Sequence, residues 1–259
     1  MRFKTIALFQ YLTLGILGRR LWVSVVTLCL LALAAAAFIG ELAIIHREAI
    51  VAAFVADFLR YSLVLLILLA IVSSVADDYE FRQFERLLTM PLARWQYVVA
   101  QALVIAMLAA ILVVPVLGLV AWLADFRLGF YWAIALWMEL LLVGLLGLLA
   151  TLSLEKVPSA TFFSLAIYLF AKLSGLITLV VAGSVRMSEG EVVNRFIETV
   201  FDAILYVIPS SQTFANSDVF FADIHPWDAL ASQCLPVPVY ALFLLAICLV
   251  DFYRKEFNV

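Results

Sequence analysis

Long apolar segments, separated by short polar ones, dominate this 259-residue chain. Segments of about 20 predominantly apolar residues are long enough for a helix to cross the hydrocarbon core of a bilayer. They must be helical, because an open strand in hydrocarbon leaves its backbone N–H and C=O groups unpaired. The pattern therefore predicts an all-α polytopic membrane protein with six transmembrane helices, at residues 21–40, 58–76, 97–124, 131–152, 159–183 and 236–252.

Composition supports a membrane protein and excludes a nucleic-acid-binding one. The chain is 67% hydrophobic and 14% charged, whereas soluble domains are about 45–50% apolar. Its net charge is −3, and it has no run of Lys and Arg that would bind nucleic acid. Its three cysteines and two histidines do not have the spacing of a disulfide framework or a metal site.

Positive charges predict the orientation of the chain. Of the sixteen Lys and Arg residues, ten lie at the two termini or in the loops 77–96 and 153–158. Five, including Arg60, fall on the other side, and Lys172 lies within a span. Because Lys and Arg are enriched on the cytoplasmic side, both termini are expected on the cytoplasmic side of the cell (inner) membrane. The first apolar run is interpreted as an uncleaved signal anchor.

The loop 77–96 carries an amphipathic pattern. Phe81, Phe84, Leu87 and Leu88 recur at helical spacing on one face, and charged residues occupy the other. Two aspartates at the start suit a positive helix end, and a proline follows the last turn. Such a helix could lie in the lipid interface, dock into a groove of another protein, or form a plain solvated hairpin.

The same loop resembles a known family. After the second span, the membrane subunits of type-two ABC exporters carry the pattern Glu-Leu-Leu-(Ser/Thr)-x-Pro-(small)-(Ser/Ala)-Arg. Six residues of this chain match it, with Arg86 as an insertion; they are Glu85, Leu87, Leu88, Thr89, Pro91 and Arg94. The six spans, the cytoplasmic termini and a large exterior segment before the last span are also similar to that family.

The resemblance implies a permease subunit that is not itself an enzyme. Residues 78–90 would be the coupling helix that fits a cleft on a separate ABC ATPase, present in two copies and holding the ATP and Mg²⁺. A second permease copy or a related permease would complete the path, and residues 1–20 would form an interfacial helix. The chain lacks the Gly-Lys-Ser/Thr phosphate loop, and it is expected to hold no cofactor. The residues implied in ATPase coupling are Asp78, Phe81, Arg82, Phe84, Glu85, Arg86, Leu87, Leu88, Pro91 and Arg94.

The exterior segment 184–235 is expected to be helical before the last span. Paired apolar residues over 191–205 form one stripe at helical spacing, which favours packing but is also compatible with a cap over a translocation path. Farther on, an acidic cluster could bind a hard cation, although turn and cap roles explain it better. Its members are Asp218, Asp223, His225 and Asp228.

Two ionisable residues, Glu139 and Lys172, lie deepest in the predicted spans. A lone charge in lipid is costly, so we expect an ion pair between the fourth and fifth spans, either static or linked to substrate movement. The alternative function is an ion-coupled secondary transporter that uses both residues as a relay. An intramembrane enzyme lacks support, because the spans hold no Ser/His pair or paired aspartates. The substrate does not follow from the sequence.

Overall fold

The described part of the chain is entirely helical. The computed structural model describes Thr13, residues 18–43, 46–80 and 94–187, Phe220 and residues 236–254. These residues form six α-helices. They are α1 (Arg19–Leu42), α2 (Arg47–Glu80), α3 (Arg94–Leu123), α4 (Phe126–Leu154), α5 (Val157–Met187) and α6 (Pro236–Arg254).

Most of these helices can cross a bilayer. Among the described residues, α1, α2, α3, α4 and α6 are long and apolar enough by length and composition, and α5 contributes a shorter apolar stretch, Val157–Leu173. A helix satisfies its own backbone hydrogen bonds, which is what hydrocarbon requires. The chain therefore has the architecture of a multi-pass helical membrane protein, and the predicted helical class is confirmed at this level.

Helix α2 is longer than its predicted span, 58–76. It begins at Arg47. The prediction began later because the charged side chains of Glu48, Asp57 and Arg60 interrupt the apolar pattern, although they do not interrupt the backbone helix. Arg60 was counted among the exterior positive charges, and that assignment is wrong. It lies thirteen residues inside α2, about 20 Å from its first residue at 1.5 Å per residue.

The other end of α2 also differs from the prediction. Asp77 and Asp78 belong to its last turns, since the helix continues to Glu80. They do not begin a separate helix, so their proposed role at a positive helix end is wrong. No glycine or proline separates the span from the amphipathic pattern, and the sequence therefore gave no sign of where α2 ends. We call this end of the bundle the Asp78 end and the opposite one the His46 end.

Helix α4 is the centre of the bundle. It packs against α2, α3, α5 and α6, while α1 packs mainly on α2. Connections of two residues join α3 to α4 and α4 to α5, and they make each of these pairs antiparallel neighbours. Between α4 and α5, Glu155 adopts a left-handed backbone conformation (φ 59°), and its N–H donates to the carbonyl of Thr151. Such a residue ends a helix by satisfying one of its last carbonyl groups.

Two glycines let neighbouring helices approach α4 closely. A Cβ atom at Gly144 would overlap the side chain of Ile105 on α3, and one at Gly147 would lie 2.9 Å from Leu68 Cδ1 on α2. Helices in membranes rely on such small residues, because lipid supplies little hydrophobic driving force between them. Close contact at these glycines thus fixes α2 and α3 on two faces of α4.

Gly144→Ala tests this packing. We expect it to destabilise the detergent-purified protein by about 1–3 kcal/mol, because the added methyl group overpacks the α3 and α4 contact. Ile105→Ala in the same chain should restore part of the loss, and thermal unfolding measures both effects. Gly118→Ala on α3 is the matched control, since a Cβ there meets no atom within 4 Å. Equal melting temperatures for the Gly144 and Gly118 variants would contradict the packing described.

Candidate functional site

Glu139 is a carboxylate buried in the centre of the bundle. It lies thirteen residues from Phe126 and fifteen from Leu154, the two ends of α4, and is 2% exposed. The first of these separations corresponds to about 20 Å along the helix axis. Its helix neighbours Leu136 and Leu140 are fully buried apolar side chains. A carboxylate at this depth requires charged and hydrogen-bonding partners, because isolated charges in a bilayer are costly.

Arg60 of α2 is the first partner of this carboxylate. Its Nε donates to Glu139 Oε2 at 2.8 Å, and its Nη2 donates to Oε1 at 3.2 Å. The two parallel bonds match the planar guanidinium to the planar carboxylate, a stronger and more directional contact than a single ion pair. Arg60 itself is 3% exposed. Helices α2 and α4 are therefore joined by a buried two-pronged ion pair.

Helix α5 supplies two more partners from successive turns. Lys172 Nζ lies 3.1 Å from Glu139 Oε1, and the hydroxyl of Tyr168 donates to the same oxygen at 2.8 Å. Residues four apart share one helix face, so both side chains reach α4 together. Lys172 is the middle residue of α5, fifteen from either end, and its side chain is 11% exposed.

We call Arg60, Glu139, Tyr168 and Lys172 the charge cluster. Its two cations exceed its one carboxylate by one charge, and Asp57, at 3.9 Å from Arg60, brings the sum to zero. The Asp57 side chain is 38% exposed and at the limit of ion-pair distance, so its attraction is weaker. A nearly neutral, hydrogen-bonded group is the form in which charges are tolerated in a membrane interior. The cluster ties α2, α4 and α5 together and offers one carboxylate able to accept a proton.

The structure brings the two sequence-predicted residues together and adds two that the sequence analysis missed. Glu139 and Lys172 are in contact, but Arg60 makes the closer and two-pronged bond. A signal for Arg60 was present, since Asp57 precedes it by three residues and apolar side chains surround both. Tyr168 could have been found by its position one turn before Lys172.

A second polar contact closes the Asp78 end. The hydroxyl of Tyr97 on α3 donates to Asp78 Oδ2 at 2.9 Å, and the Tyr97 ring stacks on Phe252 of α6 with centroids 5.6 Å apart. Ser153 Oγ of α4 donates to Asp251 Oδ2 of α6 at 3.0 Å. Asp78 is 6% exposed, so it acts within the bundle. These contacts join the ends of α2, α3, α4 and α6.

Several sequence predictions fall on residues that the structure does not describe. Arg94 begins α3. The predicted helix over 191–205 and nearly all of the predicted interfacial helix, 1–20, lie outside the described residues. The same holds for the acidic cluster Asp218, Asp223, His225 and Asp228, and for the coupling residues Phe81, Arg82, Phe84, Glu85, Arg86, Leu87, Leu88 and Pro91.

A cleft of about 850 Å³ opens at the His46 end. Its deepest lining residue on α2 is Ala52, eight residues before Arg60, and on α4 it is Leu128, eleven before Glu139. These separations correspond to about 12 and 16 Å along the helices. The cleft therefore stops short of the charge cluster. Among the described residues, no group of three or more His, Cys, Asp or Glu side chains could hold a metal ion.

Comparison with known proteins does not assign the chain to a family. Profiles of known protein families give no match to the sequence, and curated proteins give none either. The function is therefore argued from the residues and their geometry.

Glu139→Gln tests the charge cluster. The change leaves Arg60 and Lys172 facing each other without a carboxylate, so we expect a loss of about 3–5 kcal/mol in thermal unfolding of the purified protein. Adding Lys172→Met should recover part of that loss, because it removes one of the two cations. Glu155→Gln, an identical change in the exposed turn after α4, is the control. A Glu139→Gln protein as stable as this control would contradict the role assigned to the cluster.

The structure also changes an expectation drawn from the sequence. A simple pair predicts that Glu139→Lys with Lys172→Glu partly rescues the single charge reversals. Arg60, 2.8 Å from the carboxylate, would then face a lysine at position 139. We therefore expect the exchanged protein to stay as unstable as Glu139→Lys alone in the same unfolding measurement, and clear rescue would argue against the Arg60 contact.

Tyr97→Phe tests the contact at the Asp78 end. It keeps the ring on Phe252 but leaves a buried carboxylate without its hydroxyl donor, which costs about 1–3 kcal/mol in thermal unfolding. Combining it with Asp78→Leu should be milder than Tyr97→Phe alone, because both polar groups are then gone. Asp77→Asn, at the adjacent exposed position, controls for loss of a carboxylate. A double variant that is worse than the single one would contradict this explanation.

Proposed function

We propose that this chain is the transmembrane permease subunit of an ATP-driven ABC exporter. The observation that carries the proposal is the sequence pattern over 84–94, lying between the joined ends of two long apolar helices. In this assignment the segment 78–90 docks on a separate ATPase subunit, which binds the ATP and Mg²⁺. The chain itself performs no bond-making chemistry and moves in response to the partner.

The contacts at the Asp78 end support a mechanical role for this segment. It enters from α2 and leaves into α3, and the Tyr97 hydroxyl bonds Asp78 at 2.9 Å across its two ends. A force on a segment pinned in this way acts on both helices together. Stacking of Tyr97 on Phe252, and the bond between Ser153 and Asp251, extend the connection to α6 and α4. Four of the six described helices therefore share one mechanical attachment.

Helix α2 provides a path from that attachment to the bundle centre. Arg60 lies eighteen residues before Asp78 on the same helix, about 27 Å along its axis. Because Arg60 donates two hydrogen bonds to the Glu139 carboxylate, displacement of α2 is transferred to α4 and α5. In the proposed complex, closure of the ATPase thus tilts α2, α4 and α5 as one body.

Topology and assembly follow from the same assignment. Both termini and the segment 77–96 lie on the cytoplasmic side of the cell (inner) membrane, as the distribution of Lys and Arg favours. The length of α5, 31 residues, supports a sixth span. Two ATPase copies and a second permease, identical or related, complete the transporter. The cargo, or the mechanical work that replaces it, is left open.

An ion-coupled secondary transporter is the second candidate, favoured by the buried carboxylate of the charge cluster. Here Glu139 and Lys172 would load and release a proton or ion without any ATPase. Two observations weigh against it. Glu139 is held by four short polar contacts, and α3 continues as one helix through Pro115, whereas transporter sites of this kind are usually built from broken helices.

Copurification of an ATPase distinguishes these candidates. We expect the wild-type protein, purified from its native membranes in mild detergent, to retain an ATP-hydrolysing subunit, identified by mass spectrometry and ATPase activity. Phe84→Asp with Leu87→Asp should lose that subunit, because two carboxylates would enter an apolar groove. Gln83→Asp is the control: this position lies outside the apolar face formed by Phe81, Phe84, Leu87 and Leu88, so the variant should keep the ATPase subunit. An ion-coupled transporter predicts no ATPase in any of the three preparations.

A further inference from the structure

Two buried hydroxyl groups on α5 differ from the hydroxyls of Thr27, Ser73 and Thr151 in the other helices. Thr27, Ser73 and Thr151 each donate to the carbonyl four residues earlier, at 2.7 to 2.8 Å. Serine and threonine commonly satisfy themselves in this way inside helices. In contrast, Thr161 Oγ1 and Ser164 Oγ are buried and have no hydrogen-bond partner among the described residues. Ser164 is fully buried, at 0% exposure.

These hydroxyls continue the polar face that forms the charge cluster. Thr161, Ser164, Tyr168 and Lys172 follow one another at spacings of three, four and four residues, which places them on one stripe of α5. Ser164 lies one turn, about 6 Å, from Tyr168, and Thr161 lies about 6 Å from Val157, where the helix begins. The stripe therefore runs from the Asp78 end of the bundle to the Glu139 carboxylate.

The two helices that pack on α5 present apolar side chains at about the level of Ser164. Helix α5 packs on α4 and α2. One turn from Glu139 and Arg60 toward the Asp78 end, these helices present Val143 and Val64, both buried. Neither side chain can donate or accept. A small polar molecule that does both is the chemistry that two adjacent hydroxyls next to a tyrosine hydroxyl would bind, and water is the smallest such ligand.

We propose that Thr161 and Ser164 bind internal water that connects the Glu139 carboxylate to the aqueous phase at the Asp78 end. The water accepts from or donates to each hydroxyl and reaches the Tyr168 oxygen, which is itself bonded to Glu139 at 2.8 Å. Among the described residues, the cleft at the His46 end stops about 12 Å short of Arg60 along α2, so the proposed access is from the Asp78 end. The stripe thus gives the deepest carboxylate of the bundle contact with water from a single side of the membrane.

Cysteine reactivity tests this proposal without reference to any transport activity. Ser164→Cys and Thr161→Cys are made singly in a full-length chain whose Cys29, Cys234 and Cys248 are replaced by Ala. A membrane-impermeant, cationic methanethiosulfonate is added to sealed vesicles from either side. Phe162→Cys and Phe163→Cys are the matched controls at the same depth, since these side chains are 72% and 48% exposed on the outer surface of the bundle.

We expect both stripe cysteines to react at least about tenfold faster than the controls, because a thiolate forms only where water solvates it. The reaction should occur from the side that carries the Asp78 end. Rates equal to those of the controls, or reaction only from the His46 side, would overturn the proposal.

Ser164→Ala in the otherwise unmodified chain provides a second test of the same proposal. If the hydroxyl binds water, its removal breaks that network, and Tm should fall by a few degrees. If the hydroxyl is dry and unpaired, its removal relieves a buried polar group, and Tm should rise. An increase in Tm would therefore contradict the proposal even if the cysteine variants folded poorly. Ser73→Ala, whose hydroxyl bonds its own helix carbonyl, controls for the loss of one oxygen.

Discussion

The constraint that governs this bundle is the Glu139 carboxylate, which is buried at mid-depth among apolar helix neighbours. Glu139 is tolerated there because Arg60, Tyr168 and Lys172 satisfy both of its oxygens. Their positions fix how α2, α4 and α5 must be placed, since moving one helix leaves a charge unpaired at a depth where such charges are costly. Close packing at Gly144 and Gly147 then sets how near α2 and α3 can come to α4.

The same arrangement links the bundle centre to one of its ends. Helix α2 carries Arg60 in its middle and Asp78 in its last turns, so a rigid helix connects the charge cluster with the bond to Tyr97. This connection supports the proposed coupling, because α2 would transmit a force at residues 78–90 to the point where three helices are joined. Breaking a buried ion pair of this kind is costly even where the intact pair adds little net stability, because an uncompensated charge is left behind.

Much of the fold was predictable from the sequence, and the limits have physical causes. Long apolar runs identify helices whatever their neighbours, which is why α1, α3 and α6 lie within a few residues of their predicted bounds. The start of α2 was missed because hydropathy records the charge of Asp57 and Arg60 but not the partners that make burial possible. Its end was missed because an amphipathic pattern continues the helical period across Glu80.

For the candidate site, the sequence predicted that buried charges need partners, but not which residues all of those partners are. Depth within a span identified Glu139 and Lys172 as charges that must be paired, yet helix neighbours cannot be ranked from one sequence. Arg60 lies 79 residues from Glu139 in the chain, and nothing local connects them. Ser164 gave no signal, because a serine in a membrane helix usually bonds its own backbone.

The central functional claim is that the segment after α2 touches an ATP-hydrolysing protein. A photoreactive amino acid incorporated at Phe84, and activated in intact native membranes, measures this contact directly. We expect a covalent product with a single protein that carries an ATP-binding phosphate loop. Products with lipid alone, or with a second copy of this chain alone, would contradict it.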